Sequence, residues 1–119
     1  MSESIFTKII NGEIPSDKLY EDEHCIVIQD INPLAPTHVL VIPRKPIEKL
    51  SEADPEDQAL LGHLMLVVGR MAEQLGVADA FRVVVNNGAG AGQTVFHLHL
   101  HILAGRDFPE GSLARGISG

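Results

Sequence analysis

Three histidines alternate with apolar residues near the C-terminal end of the chain, at His97, His99 and His101. Alternate residues of a β-strand face the same side, so this spacing predicts three imidazoles on one face of a strand. The interleaved residues are predicted to face the core, and they are Phe96, Leu98, Leu100 and Ile102. Because histidine has no special preference for strands, the repeat favours a chemical role over three solvated side chains.

Two kinds of chemistry are compatible with three aligned imidazoles. One is a metal site, since imidazoles two residues apart on a strand share a zinc ion when further ligands complete the site. His38, His24 and Cys25 are the residues that could supply such ligands. The other is nucleophilic catalysis, in which a neutral imidazole attacks phosphorus and a neighbour donates a proton to the leaving group.

A glycine-rich segment, GAGAGQT (88–94), leads directly into the histidines. Glycine allows the backbone to approach a ligand closely, and consecutive N–H groups can then hold a phosphate. The segment lacks the lysine of a P-loop and is followed by a predicted strand instead of a helix. We therefore expect a phosphate group beside the nearest imidazoles, which favours nucleophilic catalysis.

The composition narrows the class of protein further. The formal net charge of −7 argues against nucleic acid or an acidic membrane as a partner. The N-terminal residues are charged and lack an apolar run of signal-peptide length, and no stretch reaches the roughly 20 apolar residues of a membrane span. Cys25 is the one cysteine, which suits a reducing compartment, so we predict a cytoplasmic protein.

The apolar periodicities predict an α+β fold in one domain over residues 1–119. The residues flanking each segment predict where it begins and ends, with Ser4 and Asp54 as helix N-caps and Gly76 as a helix stop. The predicted helices are 4–14 and 51–76, and the predicted strands are 18–22, 24–30, 38–45, 81–86 and 94–103. Strand runs interrupted by one long helix indicate an antiparallel sheet.

The sequence resembles the histidine-triad (HIT) superfamily, whose signature is His-φ-His-φ-His-φ-φ with φ apolar. HLHLHIL (97–103) fits this signature at every position. Almost the whole chain is similar to the Hint branch, the histidine-triad nucleotide-binding proteins. The similar segments, in order, are IFTKIINGEIP, YEDEHCIVIQDINPLAPTHVLVIPRK, LLGHLM, RVVVNNG and GQTVFHLHLHILAGR.

The resemblance implies a HIT-like fold, a five-stranded antiparallel sheet with two helices. It implies a homodimer in which the strands of two subunits form one continuous ten-stranded sheet. The implied activity is hydrolysis of adenosine or guanosine 5′-phosphoramidates through a nucleotidyl-histidine intermediate, releasing the nucleoside monophosphate and an amine. The implied partner is a purine nucleoside monophosphate or phosphoramidate, with no metal or other cofactor.

Carried onto this sequence, the resemblance assigns catalytic roles to four histidines. His99 takes the middle triad position and is the expected nucleophile. His101, the last, is expected to bind phosphate and to protonate the departing amine. His97, the first, is expected to orient His99, with support from His38.

The resemblance also implies a set of nucleotide-binding residues. Asp30 is expected to hold the ribose hydroxyls, because a carboxylate accepts two hydroxyl donors well, and Ile31 lies beside it. The expected contacts near the phosphate are Asn86, Gly92, Gln93, Thr94 and Val95. The expected apolar pocket for the base consists of Ile5, Phe6, Ile9 and Leu40.

The chain departs from the family pattern after the triad. The tail DFPEGSLARGISG has no tryptophan, whereas some relatives extend an aromatic residue into the partner subunit's site. RDF (106–108) is faintly similar to the dinucleoside polyphosphate hydrolase branch, which stays an alternative, as does a non-catalytic nucleotide-binding regulatory module. His24 and His63 have no matching role and are expected to be structural, and Cys25 to pack as a small apolar residue.

Overall fold

Five antiparallel strands form one sheet in the computed structural model, which describes residues 3–109. The strands are β1 (Lys18–Glu21), β2 (Cys25–Gln29), β3 (Thr37–Pro43), β4 (Arg82–Val84) and β5 (Leu100–Ala104), in the spatial order β1-β2-β3-β5-β4. Two α-helices accompany them, α1 (Ile5–Ile10) and α2 (Gln58–Gln74). The predicted fold, a five-stranded antiparallel sheet with two helices, is confirmed.

The two faces of the sheet bury separate apolar clusters, because successive strand residues point to opposite sides. On one face, alternate residues of β2, β3 and β5 pack against α2, and this cluster includes Cys25, Val27, Val39, Val41, Leu64, Val67, Met71, Leu100 and Ile102. On the other face, the intervening residues pack against α1, and this cluster consists of Ile26, Ile28, Leu40, Ile42, Phe6 and Ile9. The smaller helix therefore covers the face to which His99 and His101 belong.

Both helices are shorter than predicted. Ser4 caps α1 as expected, and its hydroxyl accepts a hydrogen bond from the Thr7 amide at 3.1 Å. The long helix begins at Gln58 instead of Ser51, after two short 3-10 turns at Leu50–Glu52 and Pro55–Asp57. Asp54 is an N-cap as predicted, but it caps the second 3-10 turn and not α2. None of the helices within residues 3–109 has both the length and the apolar character of a membrane span.

The histidine strand is also shorter than predicted, since β5 starts at Leu100. Its neighbour β3 ends at Pro43, and Pro43 and Pro46 have no amide N–H with which to continue the ladder. The segment before β5 is held instead by single contacts, such as the Leu98 amide to the Ile47 carbonyl at 2.7 Å. His97 and His99 thus precede the strand. Phe96, predicted to face the core, is 48% exposed, so that prediction was wrong.

Candidate active site

A pocket of about 440 Å³ lies beside α1 on the histidine face of the sheet, and we refer to it as the α1 pocket. Its size is in the usual range for small-ligand sites. Its apolar wall includes all four residues predicted for the base: Ile5, Phe6, Ile9 and Leu40. Asp30, Ile31, Thr94, Val95, His38 and His99 also line it, as do Ile14, Pro15, Ser16, Ile28, Gln29, Asn32 and Leu34, for which no role was predicted.

His99 is buried and lines the α1 pocket. Its Nδ1 lies 2.7 Å from the His97 carbonyl oxygen, so Nδ1 carries the proton and donates it. In the neutral ring this tautomer leaves the lone pair on Nε2. The edge of the Phe6 ring packs against His99 with ring centroids 4.9 Å apart, which holds the imidazole plane.

His97 is fixed from both ring nitrogens and does not line the pocket wall with His99. Its Nε2–H donates to the Pro43 carbonyl at 2.7 Å. Its Nδ1 therefore accepts, and the hydroxyls of Ser4 and Thr7 each lie 3.2 Å away. Burial lowers the pKa of His97, an effect that the Pro43 hydrogen bond only partly offsets, so this ring stays neutral. His97 thereby presents its own carbonyl to His99 in a fixed position.

His38 and His101 form a hydrogen-bond chain that begins at the backbone of Leu34. The Leu34 amide donates to His38 Nδ1 at 3.1 Å, so the proton of neutral His38 resides on Nε2. His38 Nε2–H then donates to His101 Nδ1 at 2.9 Å. His101 accepts at Nδ1 and presents Nε2 as its N–H donor, with its ring centroid 5.1 Å from that of His99.

Asp30 lies beside the His38 ring of this chain and in the wall of the α1 pocket. Its Oδ2 is 3.4 Å from His38 Nε2, and its Oδ1 accepts from the Asn32 amide at 2.8 Å. Burial lowers the pKa of His38 more than the Asp30 charge raises it. His38 is consequently neutral, which is the state that its hydrogen bond from Leu34 requires.

The glycine-rich segment reaches the pocket only at its end. Thr94 and Val95 line the α1 pocket, whereas Gly92, with φ of 99°, closes a 3-10 turn at Ala89–Ala91. Gln93 is buried and joins its own loop to the segment after β3: its Oε1 accepts from the Gly88 amide, and its Nε2 donates to the Val95 and Glu48 carbonyls. The side chain of Gln93 thus shapes the loop. Asn86 lies half-buried between β4 and this turn.

Sequence reasoning missed three contributors to the site, namely Ser4, Thr7 and the Leu34 amide. Ser4 was predicted only as a helix cap, and nothing in its spacing links it to His97, 93 residues away. A backbone N–H such as that of Leu34 carries no signal in the side-chain pattern. Ile31, which was predicted beside Asp30, lines the pocket but is 91% exposed.

Two groups of side chains in the described residues have the spacing of metal ligands. Asp30, His38 and His101 each bring one ligand atom within 4.8 Å of the others, and so do Asp22, Cys25 and His63. In the first group the two histidine nitrogens are joined by their own hydrogen bond. A bound ion would have to replace that bond, and a chelator therefore distinguishes metal-dependent from metal-independent chemistry.

The second group belongs to a separate cluster on the α2 side of the sheet, which we call the Asp22 cluster: Tyr20, Asp22, His24, Cys25 and His63. Asp22 Oδ2 is 2.6 Å from His63 Nε2 and accepts from the Tyr20 hydroxyl at 2.7 Å. Asp22 Oδ1 accepts from the His24 and Cys25 amides. Burial alone would raise the pKa of Asp22, but these hydrogen bonds outweigh it and hold that pKa well below its usual range.

Sequence comparison with known proteins identifies the family to which this chain belongs. The family model described as "HIT domain" matches residues 11–108. An uncharacterised HIT-like protein of Synechocystis sp. is 59% identical over 106 residues, covering 89% of this chain and 93% of the relative. The chain belongs to the HIT family.

Solved structures of the family have the same fold. A HIT family hydrolase from Clostridium thermocellum is 43% identical with a TM-score of 0.90, covering 95% of this chain and 99% of that one. A histidine triad nucleotide-binding protein from Candida albicans is 33% identical with a TM-score of 0.77, covering 93% and 86%.

Proposed function

We propose that this protein is a member of the Hint branch, a single-domain enzyme that hydrolyses the P–N bond of purine nucleoside 5′-phosphoramidates. The observation that carries the proposal is the 2.7 Å contact between His99 Nδ1 and the His97 carbonyl oxygen, which fixes the tautomer of His99. Its Nδ1–H is committed to the His97 carbonyl, so the lone pair of the neutral ring is on Nε2, in a ring that lines a pocket of nucleotide size. A buried neutral imidazole in this state is suited to nucleophilic attack on phosphorus.

In this proposal the nucleoside occupies the α1 pocket. The purine packs among the apolar residues of α1 and β3, and the Asp30 carboxylate accepts the ribose hydroxyls. The α-phosphate lies against the end of the glycine-rich loop, where Thr94 offers its hydroxyl and the backbone offers N–H groups. Preorganised donors of this kind stabilise charge that develops on phosphoryl oxygens, each by about 3 kcal/mol.

The reaction has two steps. His99 Nε2 bonds to phosphorus as the P–N bond breaks, and the departing nitrogen takes the Nε2 proton of His101. Loss of this proton leaves a negative charge on the His101 ring. The positive charge that His99 acquires lies close to it, since the two ring centroids are 5.1 Å apart. Water then attacks the nucleotidyl-histidine, His101 Nε2 takes a proton from that water, and the nucleoside monophosphate leaves.

We propose further that two copies pair into one ten-stranded sheet. Strand β4 forms one edge of the sheet and pairs with β5 alone among the described strands, so its other side offers backbone groups to a partner. Helix α2 also has an outward apolar surface, in which Met65 and Leu66 are 58% and 61% exposed. Gly62 and Gly69 on the same helix would let a partner approach closely, since a Cβ at either meets nothing within 4 Å.

A reducing compartment such as the cytoplasm fits the one cysteine. Burial raises the pKa of the Cys25 thiol to about 12, so that the reactive thiolate is almost absent at neutral pH. Its place in the apolar cluster beneath α2 gives it a packing role.

The test is release of AMP from an adenosine 5′-phosphoramidate in excess EDTA, comparing the native protein with His99→Ala and with His24→Ala as a matched control. We expect native turnover to persist in EDTA, to fall at least about 10³-fold in His99→Ala, and to be unchanged in His24→Ala. Turnover by His99→Ala at a near-native rate, or turnover that requires added zinc, would refute the proposal. Product analysis on a dinucleoside polyphosphate separates it from the related phosphoanhydride hydrolases.

A further inference from the structure

We propose that Arg106 is a positioning residue for His101, acting through the loop that carries Leu34; this inference rests on the function proposed above. The RDF segment (106–108), which follows β5, has no role in the two-step reaction. In the structure it nevertheless reaches the loop from which the hydrogen-bond chain to His101 begins.

The chain depends on where the Leu34 amide lies. Its N–H donates to His38 Nδ1 at 3.1 Å and so places the His38 proton on Nε2, from which it reaches His101 Nδ1. If this amide moved away, His38 could adopt the other tautomer. His101 would then present Nε2 as an acceptor in some molecules, and those molecules could not donate a proton to the leaving nitrogen.

The segment after β5 holds the Leu34 loop at two points. Arg106 Nη1 donates to the Leu34 carbonyl at 3.1 Å. One residue earlier, Gly105 has φ of 92°, and a Cβ there would lie 2.9 Å from Pro36 Cβ, so the loop packs directly on the glycine backbone. Pro33 and Pro36 limit the conformations of the loop but donate no hydrogen bonds, which makes the contact from Arg106 the more important.

Arg106 is itself held in place by the residues that follow it. The Phe108 ring contacts two guanidinium groups, with the Arg106 and Arg82 Cζ atoms 5.3 and 5.0 Å from its centroid. Arg82, on β4, also donates to the Phe108 and Pro109 carbonyls at 3.3 and 3.2 Å. A continuous set of contacts therefore runs from the edge strand through Phe108 and Arg106 to Leu34, and from there to His101.

This arrangement predicts that Arg106 matters in proportion to the need for a proton on the leaving group. An alkylamine must be protonated as it leaves, whereas p-nitrophenolate leaves as a stable anion. The experiment measures kcat on two substrates with the same nucleotide, an adenosine 5′-phosphoramidate of an alkylamine and the p-nitrophenyl ester of AMP. The proteins compared are native, Arg106→Ala, Arg106→Lys, Phe108→Ala and, as a matched surface control, Arg70→Ala.

We expect Arg106→Ala to lower kcat on the alkylamine by about three- to tenfold, the size of one lost hydrogen bond, and on the ester by less than about twofold. Arg106→Lys keeps a donor for the Leu34 carbonyl and should recover most of the rate. Phe108→Ala, a milder change, should show the same pattern at smaller size, and Arg70→Ala should show no change.

Equal losses on the two substrates, or no loss on either, would overturn the inference. Should Arg106→Ala fail to fold, Phe108→Ala still decides the question, because it keeps the Arg106 side chain and removes only the ring that holds it in place. The two proposals fail in distinguishable ways. A native protein that does not hydrolyse the phosphoramidate sinks the proposed function, whereas native turnover without the leaving-group pattern sinks only the role of Arg106.

Discussion

The two faces of the sheet hold histidines in opposite kinds of surroundings. On the α1 side, His97, His99 and His101 are almost completely buried, and their hydrogen-bond partners include carbonyls, hydroxyls and another imidazole. On the α2 side, His63 is partly exposed and bonds to the Asp22 carboxylate at 2.6 Å. The three triad histidines are thus held by neutral groups, whereas His63 is joined to a carboxylate.

The difference shows what a histidine cluster needs for catalysis. A carbonyl partner such as that of His97 selects which nitrogen of His99 carries the proton without adding a charge, and the lone pair is left at a known atom. The carboxylate in the Asp22 cluster is instead saturated by four donors, from Tyr20, His24, Cys25 and His63. Such a cluster stabilises the junction of the β1–β2 turn with α2.

The largest expected difference between the two faces is in the effect of removing one histidine from each. Replacing His38 with Ala removes the ring that donates a hydrogen bond to His101 Nδ1. We expect kcat on a phosphoramidate to fall about 10- to 100-fold. Replacing His63 with Ala should leave kcat within about twofold, because the lost contact lies on the other face. Steady-state assays of both variants measure this. A His63→Ala loss as large as that of His38→Ala would show that the two faces are coupled.

The reverse asymmetry is expected for stability. Asp22→Asn replaces the carboxylate that accepts four hydrogen bonds with a neutral amide. The free energy of unfolding should fall by about 1–3 kcal/mol, and kcat should be unchanged. Urea denaturation of the variant and the native protein gives the difference. Glu52→Gln, an exposed carboxylate change elsewhere, is the control and should have no effect. An Asp22→Asn protein as stable as the native one would mean that the cluster contributes no net stability.

On acidification, the free energy of unfolding should fall first because of His97 and His38 on the α1 side, and only at lower pH because of Asp22 on the α2 side. Burial holds the pKa values of His97 and His38 below 6.5, their ordinary value. Below pH 6.5 the unfolded chain therefore binds more protons than the folded one, and stability falls as the pH drops towards the folded-state values. The slope reaches up to about 1.4 kcal/mol per pH unit for each ring. The pKa of Asp22 is lowered from 3.8, so that carboxylate contributes a pH dependence only at more acidic values.

Denaturation series between pH 7.5 and pH 5 test this directly. Above pH 6.5 the unfolding free energy should be insensitive to these two rings, and below it the free energy should decline. A flat curve down to pH 5 would contradict the buried neutral state of both histidines. A curve that rises on acidification would indicate that one of them is charged in the folded protein.

The smallest expected effect concerns the support of His97. Thr7→Val keeps the shape of the side chain but removes one of the two hydroxyls near His97 Nδ1. Because Ser4 still lies 3.2 Å from the same atom, we expect kcat to fall only about two- to threefold. Thr37→Val, a hydroxyl deletion at the start of β3, serves as the control. No change in Thr7→Val would assign the hydrogen bond to Ser4 alone.

Local sequence patterns predicted most of the elements but not their ends. The strand predicted over 38–45 is present as β3, with Val39 and Val41 packed on one face of the sheet and Leu40 and Ile42 on the other. The start of α2 was misplaced because a cap, a proline and acidic residues also suit a 3-10 turn, and Pro55–Asp57 forms one. Strand β5 was overextended because the histidine alternation continues past the point where β3, its neighbour, reaches Pro43.

By itself, the sequence determined which residues could do chemistry and on which side of the sheet the last of them lie. A two-residue period and a glycine-rich segment are local properties, and a resemblance over the whole chain supplied roles for them. Only the tertiary structure decided the protonation pattern. The carbonyl of Pro43, the hydroxyls of Ser4 and Thr7 and the amide of Leu34 choose the tautomers, and they come from segments distant in the chain. Hydrogen bonds between such segments form only when the chain folds, so the spacing of residues in the sequence does not predict them.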